Sequence, residues 1–515
     1  MGTVSTRAKA IGRATWLDRA IGWANPKQGL KRAWFRDALV RAYEGASKAD
    51  GWRPRRPGAS ARADYVADAR ELRHRARALC ANVPYVAQAL SVMVSCTIGV
   101  GVLARWVGDR EGLTGKRWKA WTAFADYDGL LDFGGLMAKA WHTMKVDGEV
   151  LVRLRDRRTS PTTAPLQLQL LEIDWLDVDR CEVRGDNEVI AGIEYNGRGE
   201  RVAYWLFDRH PGDVGFRAML RESQCVPADE IIHLFNPARP GQQAGITVLA
   251  PVIANVRDLQ VYEDAEQARK NLEARMGAIG EWDESLLDGV KLPDPGISAD
   301  GGARPATLDL GELAGGGIVA LPPGMRNPQF IQPTAAPGHV EYVKHRQKII
   351  AAGLGVPYEY MTGDMVEVNF SSSRVRTNLY RREVEREQWT LLVPMFLAPI
   401  ARRWAQLDEL VAGPLPGGVF ADWTMPKWPS VNPAQDVAAD LSEIKGGLQS
   451  ISEKIRERGY DPDQVFTELR DDLRRLKDDG TLPLLAALLG AANPLELLAA
   501  LGGDKTTTEK PAQKL

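Results

Sequence analysis

The sequence predicts an α+β protein that is mainly α, and three observations carry that prediction. Helical periodicity recurs over long stretches, above all residues 248–276 and 371–412. Short β-like runs bounded by turn residues cluster at residues 149–235. A helix–loop–helix at residues 349–382 joins two long helical patterns through a connection of about 18 residues, longer than most in compact domains.

Residues 1–60 are basic and rich in Arg, Trp and Gly, with Arg53-Pro54-Arg55-Arg56-Pro57-Gly58 as an extended linker. Residues 64–81 read as a helix. Residues 83–97 read as a second, more apolar one, with Asn82 as its cap and Pro84 in its first turn. Two more helices are expected at 115–127 and 134–146. Trp118, Trp121 and Phe124, three residues apart, share one face of the first and belong to the core. Runs at 149–154, 166–171, 189–194, 201–207 and 230–235 form a small, mostly antiparallel β region. Asn196-Gly197 is its hairpin signal and Gly185-Asp186-Asn187 a further turn.

Leu249, Val252, Val256 and Leu259 alternate spacings of three and four, the seam of a helix over 248–276 that is roughly 40 Å long. Residues 277–338 are rich in Gly and Pro, with a β-like stretch at 318–321. A helix returns at 339–352 and breaks at Gly353 and Gly355. Ser373 is the expected cap of the next helix, which runs to 412. Its first half is densely charged, its second half apolar, and Pro394 predicts a kink. Shorter helices follow from Pro433 to about 477, broken at Gly446-Gly447 and Gly459-Tyr460-Asp461-Pro462. The polar stretch 504–515 reads as disordered.

With 515 residues, 44% hydrophobic and 26% charged, the chain can bury several cores. Lys and Arg number 66 against 67 Asp and Glu, a net charge of −1, which argues against a high-affinity nucleic-acid clamp. The four cysteines, Cys80, Cys96, Cys181 and Cys225, form no C-x-x-C pair and read as free thiols. Residues 1–9 carry no signal-peptide pattern. No apolar run reaches the length of a membrane span. Residues 482–501 come closest, but Asn493, Pro494 and Glu496 interrupt them.

Motifs for catalysis are absent. Gly99-x-Gly101-x-x-Ala104 fits a relaxed dinucleotide fingerprint, yet it follows a helical pattern where a strand is required. Gly115-Lys116 lacks the upstream glycine of a phosphate loop, so no ATP hydrolysis is expected by that route. No two of the six histidines lie four apart on a helix. His233 in a β run reads as a satisfied buried group, and Asp174, Asp177 and Asp179, or Asp471 and Asp472, as solvated surface. Ser371, Ser372 and Ser373 have no base nearby in sequence. Neither a catalytic nor a metal site is expected, nor a cofactor.

One set of motifs, in order, closely resembles the lambda-type portal proteins of tailed bacteriophages. Gly353-Leu354-Gly355-Val356-Pro357-Tyr358 leads to Asn369-Phe370-Ser371-Ser372 at the start of a long helix. Upstream stand Asn82-Val83-Pro84-Tyr85, Ile98-Gly99-Val100-Gly101, Asp147-Gly148-Glu149, and Ile190-Ala191-Gly192-Ile193-Glu194-Tyr195. Ala203-Tyr204-Trp205, His210-Pro211-Gly212, Val226-Pro227-Ala228, Ile232-His233, Arg239-Pro240-Gly241-Gln242 and Leu249-Ala250-Pro251 continue the set. Each is weak alone; their order makes the set specific. Ala244 and Phe370 depart from the family, which has a basic residue and commonly tyrosine there.

The resemblance implies a portal fold with long stem and spine helices, a small antiparallel β wing and an inserted clip. By position it implies an N-terminal arm (1–60), wing (61–247), stem helix (248–280), clip (281–338) and second stem helix (339–355). A tunnel loop (356–373), kinked spine helix (374–412), crown helices (413–480) and a tail (481–515) follow. The loop would line a channel with Tyr358, Tyr360, Met361, Asp364, Glu367, Asn369 and Phe370. Lys344, Arg346 and Lys348 would face phosphates or, in preference, a neighbouring subunit. Implied partners are a homo-oligomeric ring, usually of twelve, non-specific double-stranded DNA, the terminase large subunit, major capsid or scaffold protein and a head-completion protein. The implied place is a capsid vertex of the virion, with host cytoplasm during assembly. A minor capsid protein and a nucleotide-dependent DNA-processing enzyme are the rival readings.

Overall fold

The computed structural model describes residues 23, 60–109, 112–157, 163–213, 222–275, 279–282, 325–329, 338–366, 368–413, 419–428 and 433–481. The chain divides into two units, Met1–Ala63 and Asp64–Leu515. In the first, the Ser60 hydroxyl accepts a hydrogen bond from Ala63 N at 3.2 Å at the start of α1 (Ala61–Asn82).

Helix α1 turns through 100° into α2 (Pro84–Thr97). Asn82 does not cap α2: it donates Nδ2 to Ala78 O at 2.7 Å and so closes α1. α2 starts behind Val83 without a side-chain cap, and Pro84 sits where a missing N–H needs no partner. α3 (Leu113–Thr122) is shorter than expected. It buries Trp118 and Trp121, but Phe124 lies past its end and is 56% exposed. Once the helix stops, the three-residue spacing no longer places Phe124 on the buried face. α4 (Phe133–Asp147) is capped by Asp132, which accepts from Gly135 N at 2.8 Å, and ends at Gly148 in the left-handed region.

β2 (Glu149–Asp156) is the centre of an antiparallel sheet ordered β3-β2-β9, with β3 (Leu166–Leu171) and β9 (Ile231–Phe235) on its flanks. A second sheet is a meander of β4 (Glu182–Arg184), β5 (Asn187–Ile190), β6 (Ile193–Tyr195), β7 (Arg201–Phe207) and β8 (Ser223–Pro227). The run at 189–194, expected as one strand, is two. Ala191 and Gly192 both take positive φ and turn the chain, so that Ile190 pairs with Ile193. Asn196-Gly197 does sit in a hairpin turn, between β6 and β7. β1 (Leu103–Val107) pairs with β12 (Phe420–Thr424), Leu103 opposite Thr424. The Gly99-x-Gly101 segment therefore leads from a helix into a strand, the reverse of what a dinucleotide fingerprint needs.

One helical rod runs from Phe370 to Ala412: α8 (Phe370–Glu387), a π-helical stretch (Gln388–Leu397) and α9 (Ala398–Ala412). The irregularity expected at Pro394 takes the form of these π turns. A wider turn relieves the clash between a proline ring and the carbonyl one turn back. The apolar half of the rod enters a first core with α4, β2 and β3. Within it the indole of Trp404 lies 5.0 Å from that of Trp106 and 5.2 Å from that of Trp118.

A second core joins α1, α2 and α8 to α5 (Ile253–Arg275), α6 (His339–Leu354) and α7 (Tyr358–Thr362). Leu249, Val252, Val256 and Leu259 are all buried there, but the helix expected from residue 248 starts only at Ile253; Leu249 and Val252 lie in the turn before it, where Pro251 has no N–H to give a helix. Gly353 does not break α6 but lies inside it, where a Cβ would collide with Val252 Cγ1. Gly355, with φ of 71°, is the stop.

β10 (Ile279–Trp282) and β11 (Met325–Gln329) pair antiparallel and bracket the Gly- and Pro-rich segment, whose β-like stretch at 318–321 lies outside the described residues. Among the described residues, three helices follow β12: α10 (Pro433–Lys445), α11 (Ile451–Glu457) and α12 (Pro462–Asp478). No single described helix is long and apolar enough to cross a membrane.

Trp404 is fully buried among aromatic rings, and its Nε1–H has no hydrogen-bond partner among the described residues. Trp404→Ala is expected to cost about 3–5 kcal/mol in urea unfolding, while Trp404→Phe, which also removes the orphan donor, costs clearly less. Equal losses for the two would contradict this packing.

Candidate functional site

The connection between α6 and α8 is not one slack loop. Gly355 reverses the chain, and Val356 N donates to Ala351 O at 3.1 Å. Pro357 then sets up α7, which closes at Gly363 with an N–H donated to Glu359 O at 2.8 Å. Val356 and Met361 are buried in the second core, at the two ends of this turn. The irregular part is thereby reduced to residues 363–369.

Side chains brace what remains. Asp364 Oδ2 lies 2.9 Å from Lys344 Nζ on α6 and accepts from the Tyr358 hydroxyl at 3.2 Å. Its Oδ1 accepts from Val366 N at 3.1 Å. The Lys344 hydrogen bond and then the Val366 amide hold the Asp364 carboxyl below the usual carboxylate range. Lys348 Nζ sits 5.5 Å from the centre of the Tyr358 ring, whose hydroxyl is pushed up chiefly by burial. Tyr360 OH meets Thr377 Oγ1 at 2.9 Å, and its ring packs edge-on against Tyr380. Glu359, a buried acid that the sequence reading passed over, is paired with Arg376 of α8. Arg346 reaches Asp258 of α5 at 3.4 Å. The basic residues of α6 thus have partners in their own chain. Met365 and Val366 stand exposed at the tip.

Ser373 is not the cap of α8. Asn369 is, accepting from Ser372 N at 2.8 Å, while Ser373 N donates to the Asn369 carbonyl within the first turn. An asparagine three residues before a backbone amide makes the shorter bridge. Phe370 is the first residue of the helix, and Glu367 lies outside the described residues.

A second constellation went unseen in the sequence. Glu149, at the start of β2, is fully buried. It accepts from His233 Nε2 at 2.9 Å, from Gly245 N at 3.0 Å and from the Tyr65 hydroxyl, with Arg73 at 3.5 Å. Arg73 continues to Asp174 at 3.0 Å, and Arg77 grips Asp147 with two bonds and Asp174 at 2.6 Å. Gly148 between Asp147 and Glu149 has no room for a Cβ against the backbone of Ile246. Asp147-Gly148-Glu149 is therefore a structural joint tying α1, β2 and β9 together. Glu172, Asp174 and His210 come within 4.8 Å of one another, but Arg73 and Arg77 supply the positive charge there.

Comparison with known proteins decides the family. A family described as "Phage portal protein, lambda family" matches residues 46–388, well over half of the chain. The chain belongs to the lambda family of phage portal proteins. It is 26% identical over 383 residues to a probable portal protein of Halomonas phage phiHAP-1, covering 72% of this chain and 71% of that one. It is 23% identical over 319 residues to portal protein B of Escherichia phage lambda, covering 55% and 58%. A solved structure of a gene transfer agent virion aligns with a TM-score of 0.43 at 14% identity, over 77% of this chain and 94% of that one.

Burial raises the Glu149 pKa, but the His233 hydrogen bond and charge and the Arg73 charge outweigh it and hold the carboxyl below its ordinary value. Burial pushes the His233 imidazole down more than Glu149 pulls it up. Both groups therefore bind protons less readily folded than unfolded. Stability is expected to fall with acidification, first below about pH 6.5 for His233 and further below about pH 4.5 for Glu149. Urea midpoints measured across that range check it. His233→Gln should flatten the upper step, and Glu149→Gln should cost about 1–3 kcal/mol at neutral pH by removing the charged acceptor shared by His233, Tyr65 and Gly245, while Arg73 keeps Asp174. A midpoint that does not change with pH would refute the assignment.

Proposed function

We propose that the chain is one segment of a closed ring at a capsid vertex, through which double-stranded DNA is packaged and ejected. The family match over residues 46–388 carries this reading. A ring of identical subunits is a head-to-tail assembly, so each copy presents two different faces. By position in the family, α5 and α6 are the stem and residues 281–338 the clip that docks the terminase motor and later the head-completion protein. Residues 356–373 form the tunnel loop and the rod from α8 to α9 the spine. The β2 and β6 sheets belong to the wing, and α10 to α12 to the crown.

The near balance of charge supports a channel rather than a clamp. A surface that releases few counterions holds DNA weakly, which suits a duplex that must slide. The loop chemistry fits the same purpose. Asp364 is neutralised by Lys344, so the loop root is braced, with Met365 and Val366 at its free end. Phosphates passing nearby compete with Asp364 for Lys344, and the loop is thereby coupled to the state of the channel.

Native mass measurement of the purified protein is expected to show one closed species of about twelve chain masses. Within it, Lys344→Asp is expected to leave the ring intact and lower DNA retention at least several-fold. The double variant Lys344→Asp with Asp364→Lys should recover much of it. Monomers or open lattices would overturn the ring, and a double variant no better than the single would overturn the bracing role.

A further inference from the structure

α8 is two-faced. On one side Tyr380 and Val384 are buried in the second core. On the opposite side Val375, Leu379, Arg382 and Arg386 follow one another at alternating spacings of four and three. At about 100° per residue these four fall within roughly a sixth of the helix circumference. Trp389 continues the series at the start of the π-helical stretch. Val375, Leu379 and Trp389 are each more than half exposed. Arg382 is exposed too, and it has no ion pair among the described residues. A narrow seam at this spacing is what one helix presents to another.

α5 carries a seam of the same spacing and the complementary character. Val256 and Leu259 are buried in the second core. Ala254, Asp258, Val261, Ala265 and Ala268 lie on the other side, all exposed, within roughly a quarter of the circumference. Side chains are short here where those of α8 are long, so that one seam seats the other at an ordinary helix separation. Charge is complementary as well. Arg382 and Arg386 make the α8 seam positive, while on the α5 face Asp258 and Asp264 outnumber Arg257. The Asp258 carboxylate stays largely exposed beside Arg346. Both helices turn their other faces into one core, so both seams point away from it and do not pack on each other within a chain.

We propose that the α8 seam of one subunit docks on the α5 seam of its neighbour, with Arg382 and Arg386 meeting the acids of α5. The pairing rests on the ring reading and deepens it. A head-to-tail ring needs two unlike faces on every copy, and these two are unlike and fit each other in size and charge. The arginines set the register, because sliding the seams would leave like charges or unpaired charges facing one another.

Cross-linking between labelled subunits tests it. Leu379→Cys is combined in turn with Ala254→Cys, Val261→Cys and Ala268→Cys, in full-length protein whose Cys80 and Cys96 are changed to Ala and whose exposed Cys181 and Cys225 are changed to Ser. Rings co-assembled from ¹⁴N- and ¹⁵N-labelled chains are treated with a short bismaleimide, and the linked peptides are weighed. Hybrid-isotope links are expected for at least one combination, at least tenfold above a control that joins Leu379→Cys with Gln267→Cys, which is exposed on another side of α5. Native mass of the same samples separates the two ways of failing. Closed rings in which no combination gives hybrid links above the control would overturn the pairing and leave the ring standing. Wild-type protein that forms no closed ring would overturn the ring reading, and the pairing with it.

Discussion

Val356 and Met361 lie in one apolar cluster with Leu90, Val252, Ile350 and Val384. Those partners come from α2, the turn before α5, α6 and α8, elements distant in sequence. Every other feature of the connection between α6 and α8 depends on this burial. It fixes α7 at both ends, which fixes the direction in which residues 363–369 leave the core. It also explains Gly353: the helices of the second core approach so closely at Val252 that no side chain fits. A long connection becomes a short one on a rigid base, and that base lets a few polar contacts define the rest.

Those polar contacts share a pattern. Asp364 is answered by Lys344, Glu359 by Arg376, Asp258 by Arg346 and Glu387 by Lys145. The overall charge of −1 thus reflects compensation at individual sites and not only an average. The solvent-accessible pairs among them, Asp364–Lys344 and Asp258–Arg346, add little stability, typically under about 1 kcal/mol. What they supply is position: each links a loop or rod to a particular helix. The buried joint around Glu149 is different in kind, since its carboxylate and the Arg73 guanidinium lie away from water and rely wholly on these partners.

Elements with a local signature were legible from the sequence. The Asn196-Gly197 hairpin, the glycine stop of α6 and the long rod all follow from spacing and turn chemistry, whereas the helix expected from residue 248 begins only at Ile253. The ordered motifs were enough to point to the family. What escaped was non-local or cooperative. The pairing of β1 with β12 joins segments with no shared pattern, and its strands make sense only beside the Trp404 cluster. Glu149 looked like an ordinary strand residue because its four partners come from α1, β9 and the turn before α5. Ser373 looked like a cap because three serines stood together, while Asn369 won on geometry. Lys344, Arg346 and Lys348 looked like a basic face because their partners, Asp364, Asp258 and the Tyr358 ring, lie in other elements.

Amide hydrogen exchange across residues 355–369 of the assembled protein tests the braced connection most directly. The account predicts slow exchange for Val356, Met361 and Gly363, whose N–H groups bond to Ala351, Pro357 and Glu359. It predicts fast exchange after Asp364 and a speeding of Val366 in Lys344→Ala. Uniformly fast exchange from Gly355 to Asn369 would mean that the connection is slack along its whole length, and would contradict the account.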